Sequence, residues 1–227
     1  MKILIVSATE KEILPTKNQF KTAFNNDFGT KKSNTKKTGI DFLVTGIGGV
    51  LTSYALTKAL SGKKYDWVIN AGIAGSFNKD LEIGETVLVD KDQLADVGIE
   101  DKENFYTMFE KGFGDENEFP FKNAKLENFS ELNIGLKKVE AITVNRTHGN
   151  IKSIEIFRNK FKADIETMEG AAFFYVCLME NMNFLQLRSI SNYVEERNKA
   201  NWDIPLAIKN LNDKLSELID VLSKKNS

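Results

Sequence analysis

Short apolar and β-branched runs alternate with helical patterns along the chain, and this alternation constrains the fold more than any other feature. Strands are predicted at 2–7, 41–45, 66–70, 86–90, 137–144 and 184–190. Helices are predicted at 11–24, 50–60, 150–161, 167–181 and 204–222. Such alternation is typical of a mostly parallel sheet covered by helices on both faces. We therefore predict an α/β fold, a three-layer α/β/α sandwich around a mostly parallel mixed sheet.

The length of 227 residues and the hydrophobic content of 41% suit one large domain, so we expect a single domain over 1–227. The segment from about 100 to 131 has no clean period, which predicts an irregular insertion. Its aromatic side chains either line a pocket or anchor the loop, and anchoring is the favoured interpretation. They are Phe105, Tyr106, Phe109, Phe113, Phe119 and Phe121.

The balance of charge favours a small-molecule partner. Lys and Arg number 31 and Asp and Glu 32, so a net charge of -1 gives no general attraction to nucleic acid or an anionic membrane. No apolar stretch approaches the roughly 20 residues that a membrane span needs. The one cysteine, Cys177, lies in a predicted helix interior, which indicates a reducing compartment. We expect a cytoplasmic protein.

The composition also limits the chemistry. With one His and one Cys, the chain has no Cys/His zinc site, and its carboxylates show no metal-binding spacing, so no metal is expected. A Ser/His/Asp triad would need His148, but no nucleophile-elbow pattern occurs. The favoured interpretation of His148 is a solvated loop histidine.

Two glycine-rich segments follow predicted strands. Gly46 and Gly48 supply two glycines of a dinucleotide fingerprint, but Leu51 occupies the third position, so no cofactor is expected. This segment is either a tight turn or a ligand-contacting loop. The block from Gly72 to Gly75 is predicted as a second turn. Ligands of open α/β sheets bind beyond the carboxyl ends of strands, so both segments point to one crevice.

Three polar residues are candidates for that crevice. Glu169 falls on the apolar stripe of a predicted helix, so its carboxylate is expected to be buried. Its partner would be either a ligand hydroxyl or water, or Arg188 in a buried salt bridge. Glu12, in a first helical turn, and Asn192, at a strand end, are ordinary residues when each is taken alone.

Four ordered blocks together resemble the purine nucleoside phosphorylase and nucleosidase superfamily: ILIVSATEKE at 3–12, NAGIAG at 70–75, ETMEGAA at 166–172 and RSISN at 188–192. The resemblance implies the nucleoside phosphorylase fold and a nucleoside substrate. It implies that Glu12 positions and deprotonates the attacking water and that Met168 and Glu169 bind the ribose. Ile73 and Ser191 are the other implied substrate-binding residues.

The block SNYVEERNKANWD at 191–203 resembles the futalosine hydrolase family within that superfamily. Asn192 stands where adenine-cleaving relatives carry a proton-donating aspartate. An amide cannot serve as that acid, but it can donate to the carbonyl or N7 of a 6-oxopurine. Phosphorolytic relatives carry a phosphate-binding hydroxyl where this chain has Ile73, and Glu12 would repel phosphate, so water is the expected nucleophile.

The resemblance therefore implies hydrolysis of futalosine to hypoxanthine and dehypoxanthine futalosine, with Asn192 and Glu12 as catalytic residues. The alternative is a methylthioadenosine/adenosylhomocysteine nucleosidase, and a lesser one is a catalytically silent nucleoside-binding protein. Relatives are commonly homodimers or larger homo-oligomers. Arg146 and Arg197 either bind the benzoate end of futalosine or are solvated surface arginines. The loop 146–149 matches the region that stacks on the purine in relatives, but lacks their aromatic residue.

Overall fold

The computed structural model describes residues 1–25, 38–130, 132 and 134–225. The strands and helices of this part of the chain are β1 (Lys2–Ser7), α1 (Glu10–Asn25), β2 (Gly39–Val44), α2 (Gly49–Gly62), β3 (Trp67–Ser76), β4 (Thr86–Asp92), β5 (Gly98–Asp101), β6 (Asn104–Thr107), β7 (Leu126–Glu127), β8 (Lys138–Thr143), α3 (Ile151–Phe161), β9 (Ile165–Thr167), α4 (Gly170–Met179), β10 (Phe184–Tyr193) and α5 (Ile204–Lys225).

The central sheet is mixed and partly closed. β1 pairs in parallel with β2 and β3, and β3 pairs in parallel with β10. From β10 the sheet continues through β4, β8 and β9, and β9 pairs back to β3, so these five strands form a ring. The carboxyl ends of β1, β3 and β10 therefore meet at one edge of the sheet. This edge carries most of the candidate residues.

Helices cover both faces of the sheet, because each helix presents one apolar side to it. Leu56 of α2 and Phe173 of α4 share a buried apolar cluster with strand residues. Ile13 of α1 and Leu211 of α5 belong to a second cluster on other strand residues. Ile154 of α3 lies in a third, smaller cluster. The predicted α/β fold with a mixed sheet is confirmed.

Two predicted boundaries are wrong. The segment from Gly72 to Gly75, predicted as a turn, continues β3 as far as Ser76. The predicted helix at 167–181 contains the end of the short strand β9, and α4 begins only at Gly170. The first glycine segment joins β2 to α2 with positive φ angles of 90° at Gly46 and 98° at Gly48, in agreement with the tight-turn interpretation; contact with a ligand stays a prediction.

The insertion is anchored by some of its aromatic residues. Phe105 stacks on Phe157 of α3 with ring centroids 5.5 Å apart, and Phe121 lies between Phe109 and Tyr175 of α4. Phe113 and Phe119 are instead largely exposed, at 69% and 66%. Between the β5–β6 hairpin and β7 the chain runs mainly through turns. The predicted end of the insertion, at residue 131, lies outside the described residues.

Within the described ranges, every helix is too short or too polar to span a lipid bilayer.

Candidate active site

Glu12 is held at the sheet edge by a capping box at the start of α1. Thr9 precedes the helix, and its backbone N–H donates to Oε2 of Glu12 at 2.9 Å, as the T-x-x-E pattern requires. The hydroxyls of Thr9 and Ser7 donate to the same oxygen at 2.8 and 3.0 Å. Oε1 accepts from the N–H of Ile73 at 3.2 Å. The carboxylate is thus fixed through one oxygen and directed toward β3 through the other.

Gly72 lets this carboxylate approach β3 closely. A Cβ at Gly72 would lie 3.0 Å from Oε1 of Glu12 and 3.4 Å from Nη1 of Arg188. The Glu12 side chain and the Arg188 guanidinium therefore flank one glycine. Ile73, the next residue, contributes its backbone N–H to Glu12 and carries no polar side-chain group.

Arg188 is the buried cation of the site, with only 1% of its surface exposed. Nη1 donates to Oδ1 of Asn70 at 2.9 Å and to the carbonyl of Leu187 at 3.0 Å, whereas Nε has no partner in the described part of the chain. Burial lowers the pKa of Arg188, and the charges of Glu169 and Glu12 counteract this. A guanidinium held in this way supplies positive charge to two carboxylates at once.

Glu169 lies at the N-cap of α4. The predicted helix boundary, which placed this residue within the helix, is wrong. Oε1 accepts from the N–H of Gly48 at 2.9 Å, so the first glycine turn positions this carboxylate. Burial raises the pKa of Glu169, the Arg188 charge opposes that shift, and the Glu12 charge adds to it. Glu169 and Arg188 form no direct ion pair in the described part of the chain, so the alternative of a buried salt bridge is wrong. Met168, half-buried, precedes Glu169 directly.

Asn192 and Ser191 lie on β10 at a bulge, where the register with β3 shifts between Ile190 and Asn192. Oδ1 of Asn192 accepts from the Ser191 hydroxyl at 2.8 Å, and Nδ2 donates to the carbonyl of Tyr193 at 2.9 Å. These bonds fix the orientation of the amide and leave one N–H of Nδ2 without a described partner. A Cβ on Gly75, opposite Asn192 in the register, would lie 3.3 Å from Nδ2.

The structure therefore assembles two groups along β3. Glu12 and Arg188 flank Gly72, Glu169 interacts electrostatically with both of them, and Asn192 lies beside Gly75. Two strand residues lie between these glycines, which puts them about 10 Å apart along β3.

His148 is not the solvated loop residue that the sequence suggested, because its side chain is only 7% exposed. Its Nδ1 is in hydrogen-bond contact with Oε2 of Glu166, and its backbone N–H donates to Oε1 of the same carboxylate at 3.0 Å. The imidazole also packs on Phe157, with centroids 4.1 Å apart. Sequence spacing gave no signal for this pair, since its two members are eighteen residues apart.

Comparison with known proteins supplies the family. A family model described as "Phosphorylase superfamily" matches residues 2–224. The chain belongs to the phosphorylase superfamily. It is 30% identical over 190 residues to the futalosine hydrolase of Streptomyces coelicolor, covering 81% of this chain and 80% of that protein. It is also 30% identical over 242 aligned positions to the 5'-methylthioadenosine/S-adenosylhomocysteine nucleosidase of Buchnera aphidicola, covering 100% and 98%.

The fold agrees with solved structures of this superfamily. The native structure of futalosine hydrolase of Helicobacter pylori superposes with a TM-score of 0.76 at 22% identity, covering 97% of both chains. The curated relatives are hydrolases of N-glycosyl compounds. This superfamily member is an enzyme of the same class.

The two candidate arginines lie at the protein surface. Arg146 is exposed, and Arg197 is exposed with its guanidinium 5.3 Å from the ring centroid of Trp202. The backbone N–H of Arg197 donates to the carbonyl of Gly149 at 3.3 Å. Arg197 is therefore tied to the loop that carries His148.

Sequence reasoning missed several residues that hold the site together. Thr9 is one, although the T-x-x-E pattern with Glu12 is a recognisable capping box. Asn70 and Gly48 carry no such signal, because their roles depend on contacts between distant segments.

No group of three or more His, Cys, Asp or Glu side chains able to hold a metal occurs within the described residues.

Proposed function

We propose that this enzyme hydrolyses the N-glycosidic bond of futalosine, releasing hypoxanthine and dehypoxanthine futalosine in menaquinone biosynthesis. The observation that carries the proposal is the fixed amide of Asn192. Its oxygen already accepts from Ser191 and one N–H already donates to Tyr193, so the remaining N–H is available to a purine acceptor. Hypoxanthine offers O6 and N7 as acceptors. An amide has no titratable proton, which disfavours adenine as the leaving base.

We propose Glu12 as the base that positions and deprotonates water. Oε2 is saturated by three donors, whereas Oε1 has only the Ile73 N–H and lies at Gly72 beside Arg188. A water between Glu12 and Arg188 would be oriented by both groups. The negative charge of Glu12 repels phosphate there, and Ile73 has no side-chain hydroxyl that could bind it.

We assign ribose binding to Glu169 and Met168. The Glu169 carboxylate uses Oε1 on Gly48 and retains Oε2 for ribose hydroxyls. The half-buried Met168 supplies apolar contact next to it. Ser191 supports the base end, because its hydroxyl lies between Oδ1 of Asn192 and the carbonyl of Ala74.

A second candidate substrate class is methylthioadenosine or adenosylhomocysteine. It is supported by the full-length match to the Buchnera aphidicola nucleosidase, which extends over 100% of this chain. Asn192 is the objection, because an adenine leaving group needs an acid at that position.

Side-by-side assays decide between these substrates. Purified enzyme is incubated with futalosine or methylthioadenosine, and the released base is separated by reverse-phase chromatography. We expect hypoxanthine release at a kcat/KM at least tenfold above that for adenine release. Faster adenine release would establish the second candidate. Binding of both nucleosides without base release would indicate a catalytically silent binding protein.

We also propose a homodimer, or a larger homo-oligomer, formed through the start of α2. Ile47, Val50, Leu51 and Tyr54 are exposed there, Val50 by 79%, next to the turn that contacts Glu169. A contiguous apolar surface of this kind is typical of interfaces. Light scattering should give twice the monomer mass or more, and Val50→Asp should shift it toward the monomer. A monomeric wild type would contradict this proposal.

We propose a cytoplasmic location, which is supported by Cys177, a buried cysteine without a disulfide. For the benzoate end of futalosine, Arg197 is the better supported cation: both arginines are exposed, but the Arg197 guanidinium lies 5.3 Å from the Trp202 ring centroid and its backbone N–H donates to Gly149. Arg197→Ala should raise the KM for futalosine and leave that for inosine unchanged.

A further inference from the structure

Three residues on neighbouring strands form one row across the site. Glu166 of β9 is the register partner of Gly75 of β3, and Gly75 is the partner of Asn192 of β10. Directly paired residues direct their side chains to the same face of a sheet. Glu166 and Asn192 therefore lie on one face, about 10 Å apart, with a glycine between them.

The carboxylate of Glu166 is used entirely on His148. Its side chain is only 3% exposed, and its two oxygens contact the backbone N–H and Nδ1 of His148. A carboxylate has no proton to donate, so the proton of the ring contact lies on Nδ1. Such a carboxylate fixes both the tautomer and the orientation of the ring.

The other ring nitrogen, Nε2, remains for a ligand. Among the described residues it has no hydrogen-bond partner, although the ring itself is largely buried against Phe157. In the Nδ1–H tautomer, a neutral imidazole presents Nε2 as an acceptor. An acceptor nitrogen on a fixed ring that no protein group occupies favours a ligand donor over a second acceptor.

We propose that His148 recognises the base from the side opposite Asn192, with Nε2 accepting the N1–H of a 6-oxopurine. Asn192 donates to the O6 or N7 acceptors of the base, and His148 takes the N1 donor next to O6. Adenine lacks that proton, so its N1 lone pair would face the Nε2 lone pair. This inference rests on the proposed function and adds a second specificity-determining residue to it, with Glu166 as its positioning residue.

The single histidine of the chain allows a direct test by nuclear magnetic resonance. The ¹⁵N signals of the imidazole of the wild-type enzyme are recorded alone, with hypoxanthine and with adenine. We expect the Nδ1–H tautomer in the free enzyme and a shift of the Nε2 signal when hypoxanthine saturates the site. Bound hypoxanthine without a shift of Nε2 would overturn this inference but leave the proposed function intact. Failure of hypoxanthine to bind at all would overturn both.

A variant pair tests the positioning role of Glu166. Glu166→Gln frees the tautomer of His148, and Glu155→Gln on the exposed side of α3 is the matched control. We expect Glu166→Gln to lower kcat/KM for futalosine about tenfold more than that for methylthioadenosine, and the control to change neither. Equal losses for both substrates, with the native melting temperature retained, would mean that the pair only fastens the loop, and would overturn the proposed recognition.

Discussion

The two oxygens of Glu12 have separate tasks, and the separation is built from a common local motif. Oε2 closes the capping box of α1, whereas Oε1 reaches Ile73 and the neighbourhood of Arg188. The same carboxylate thus stabilises a helix start and serves the site. A substitution here is expected to affect both, and the two effects can be measured separately.

Glu12→Gln is expected to lower kcat about a hundredfold or more, because an amide cannot accept the proton of the attacking water. The Gln oxygen can still accept from Thr9, so the loss of stability should be small, about 1 kcal/mol. Steady-state kinetics and thermal unfolding measure the two effects. Glu10→Gln, a change in the same helical turn at a more exposed acid, is the control. Turnover close to that of the wild type would remove Glu12 from the mechanism.

Asn192→Asp is expected to move base preference toward adenine nucleosides. The oxygen replacing Nδ2 would face the carbonyl of Tyr193, 2.9 Å from Nδ2 in the native structure. Two acceptors repel at that distance, so the new carboxyl is stabilised in its protonated form and becomes an acid. The ratio of adenine to hypoxanthine release measures the change. Asn198→Asp, at an exposed cap where Asp serves as well as Asn, should leave the ratio unaltered.

If Glu169 binds the ribose as proposed, its raised pKa is expected to set an acidic limit of activity. Burial raises its pKa, so its carboxylate takes up a proton at a higher pH than an exposed glutamate would. Protonation weakens its acceptance from ribose hydroxyls, and kcat/KM should therefore fall as the pH drops through this raised pKa. A pH profile of kcat/KM measures the limb, and Glu169→Gln should remove it. An identical acidic limb in that variant would assign it to another group.

At the level of elements, the N-terminus of α4 positions Glu169, the proposed ribose-binding residue. A Cβ on Gly170 would lie 2.1 Å from Oδ2 of Asp92 and 2.6 Å from Nε2 of Gln186, so the helix start is packed directly on buried polar groups. The N–H of Ala171 donates to the Thr143 hydroxyl at 2.7 Å. Since Glu169 immediately precedes the first turn of α4, its position depends on how the start of this helix packs.

Gly170→Ala is expected to destabilise the enzyme by about 1–3 kcal/mol and to raise the KM for nucleosides, because the added methyl group displaces the start of α4. Gly62→Ala is the matched control, since a Cβ at that helical glycine meets nothing within 4 Å. Thermal unfolding and KM are measured for both variants. A native KM in Gly170→Ala would show that Glu169 is positioned independently of the helix.

Periodicity located most elements because their apolar patterns are long, and it failed where elements are short or where glycine has a role other than turning. β9 has three residues, too few for a pattern, so its end was joined to the following helix. Gly72 and Gly75 look like turn residues, but they are strand residues that admit Glu12 and Asn192. Glu12, Glu169 and Asn192 were found through ordered blocks of sequence. The His148–Glu166 pair depends on a contact between loop and strand that no local pattern contains.

On the scale of the whole molecule, Asp92 links three strands of the closed ring. It lies on β4 with 0% exposure, accepts from Thr143 of β8 at 2.8 Å and from Gln186 of β10 at 3.1 Å, and adjoins α4. Burial raises the pKa of Asp92 from 3.8 to about 6, against the lowering effect of its hydrogen bonds to Thr143 and Gln186. Because Asp92 bonds to two neighbouring strands, its protonation state is expected to affect the stability of the whole sheet.

The sign of that linkage is opposite to that of a salt-bridged carboxylate. Because the pKa of Asp92 is higher in the folded state, the folded protein binds more protons than the unfolded chain between pH 3.8 and about 6. The contribution of Asp92 to stability is therefore complete below pH 3.8 and declines as the pH rises toward 6. A shift of this size corresponds to a loss on the order of 3 kcal/mol.

Asp92→Asn should remove this decline. The free energy of unfolding, measured with urea between pH 4 and 8 for the wild type and the variant, should show the variant gaining on the wild type as the pH rises, with a constant difference above about pH 6. The neutral amide can accept from Thr143 and donate to Oε1 of Gln186, which lacks a partner among the described residues. Asp90→Asn, on the same strand but paired with Lys138 at the surface, should not reproduce this gain. A difference between Asp92→Asn and wild type that stays constant from pH 4 to 8 would show that Asp92 titrates normally in the fold.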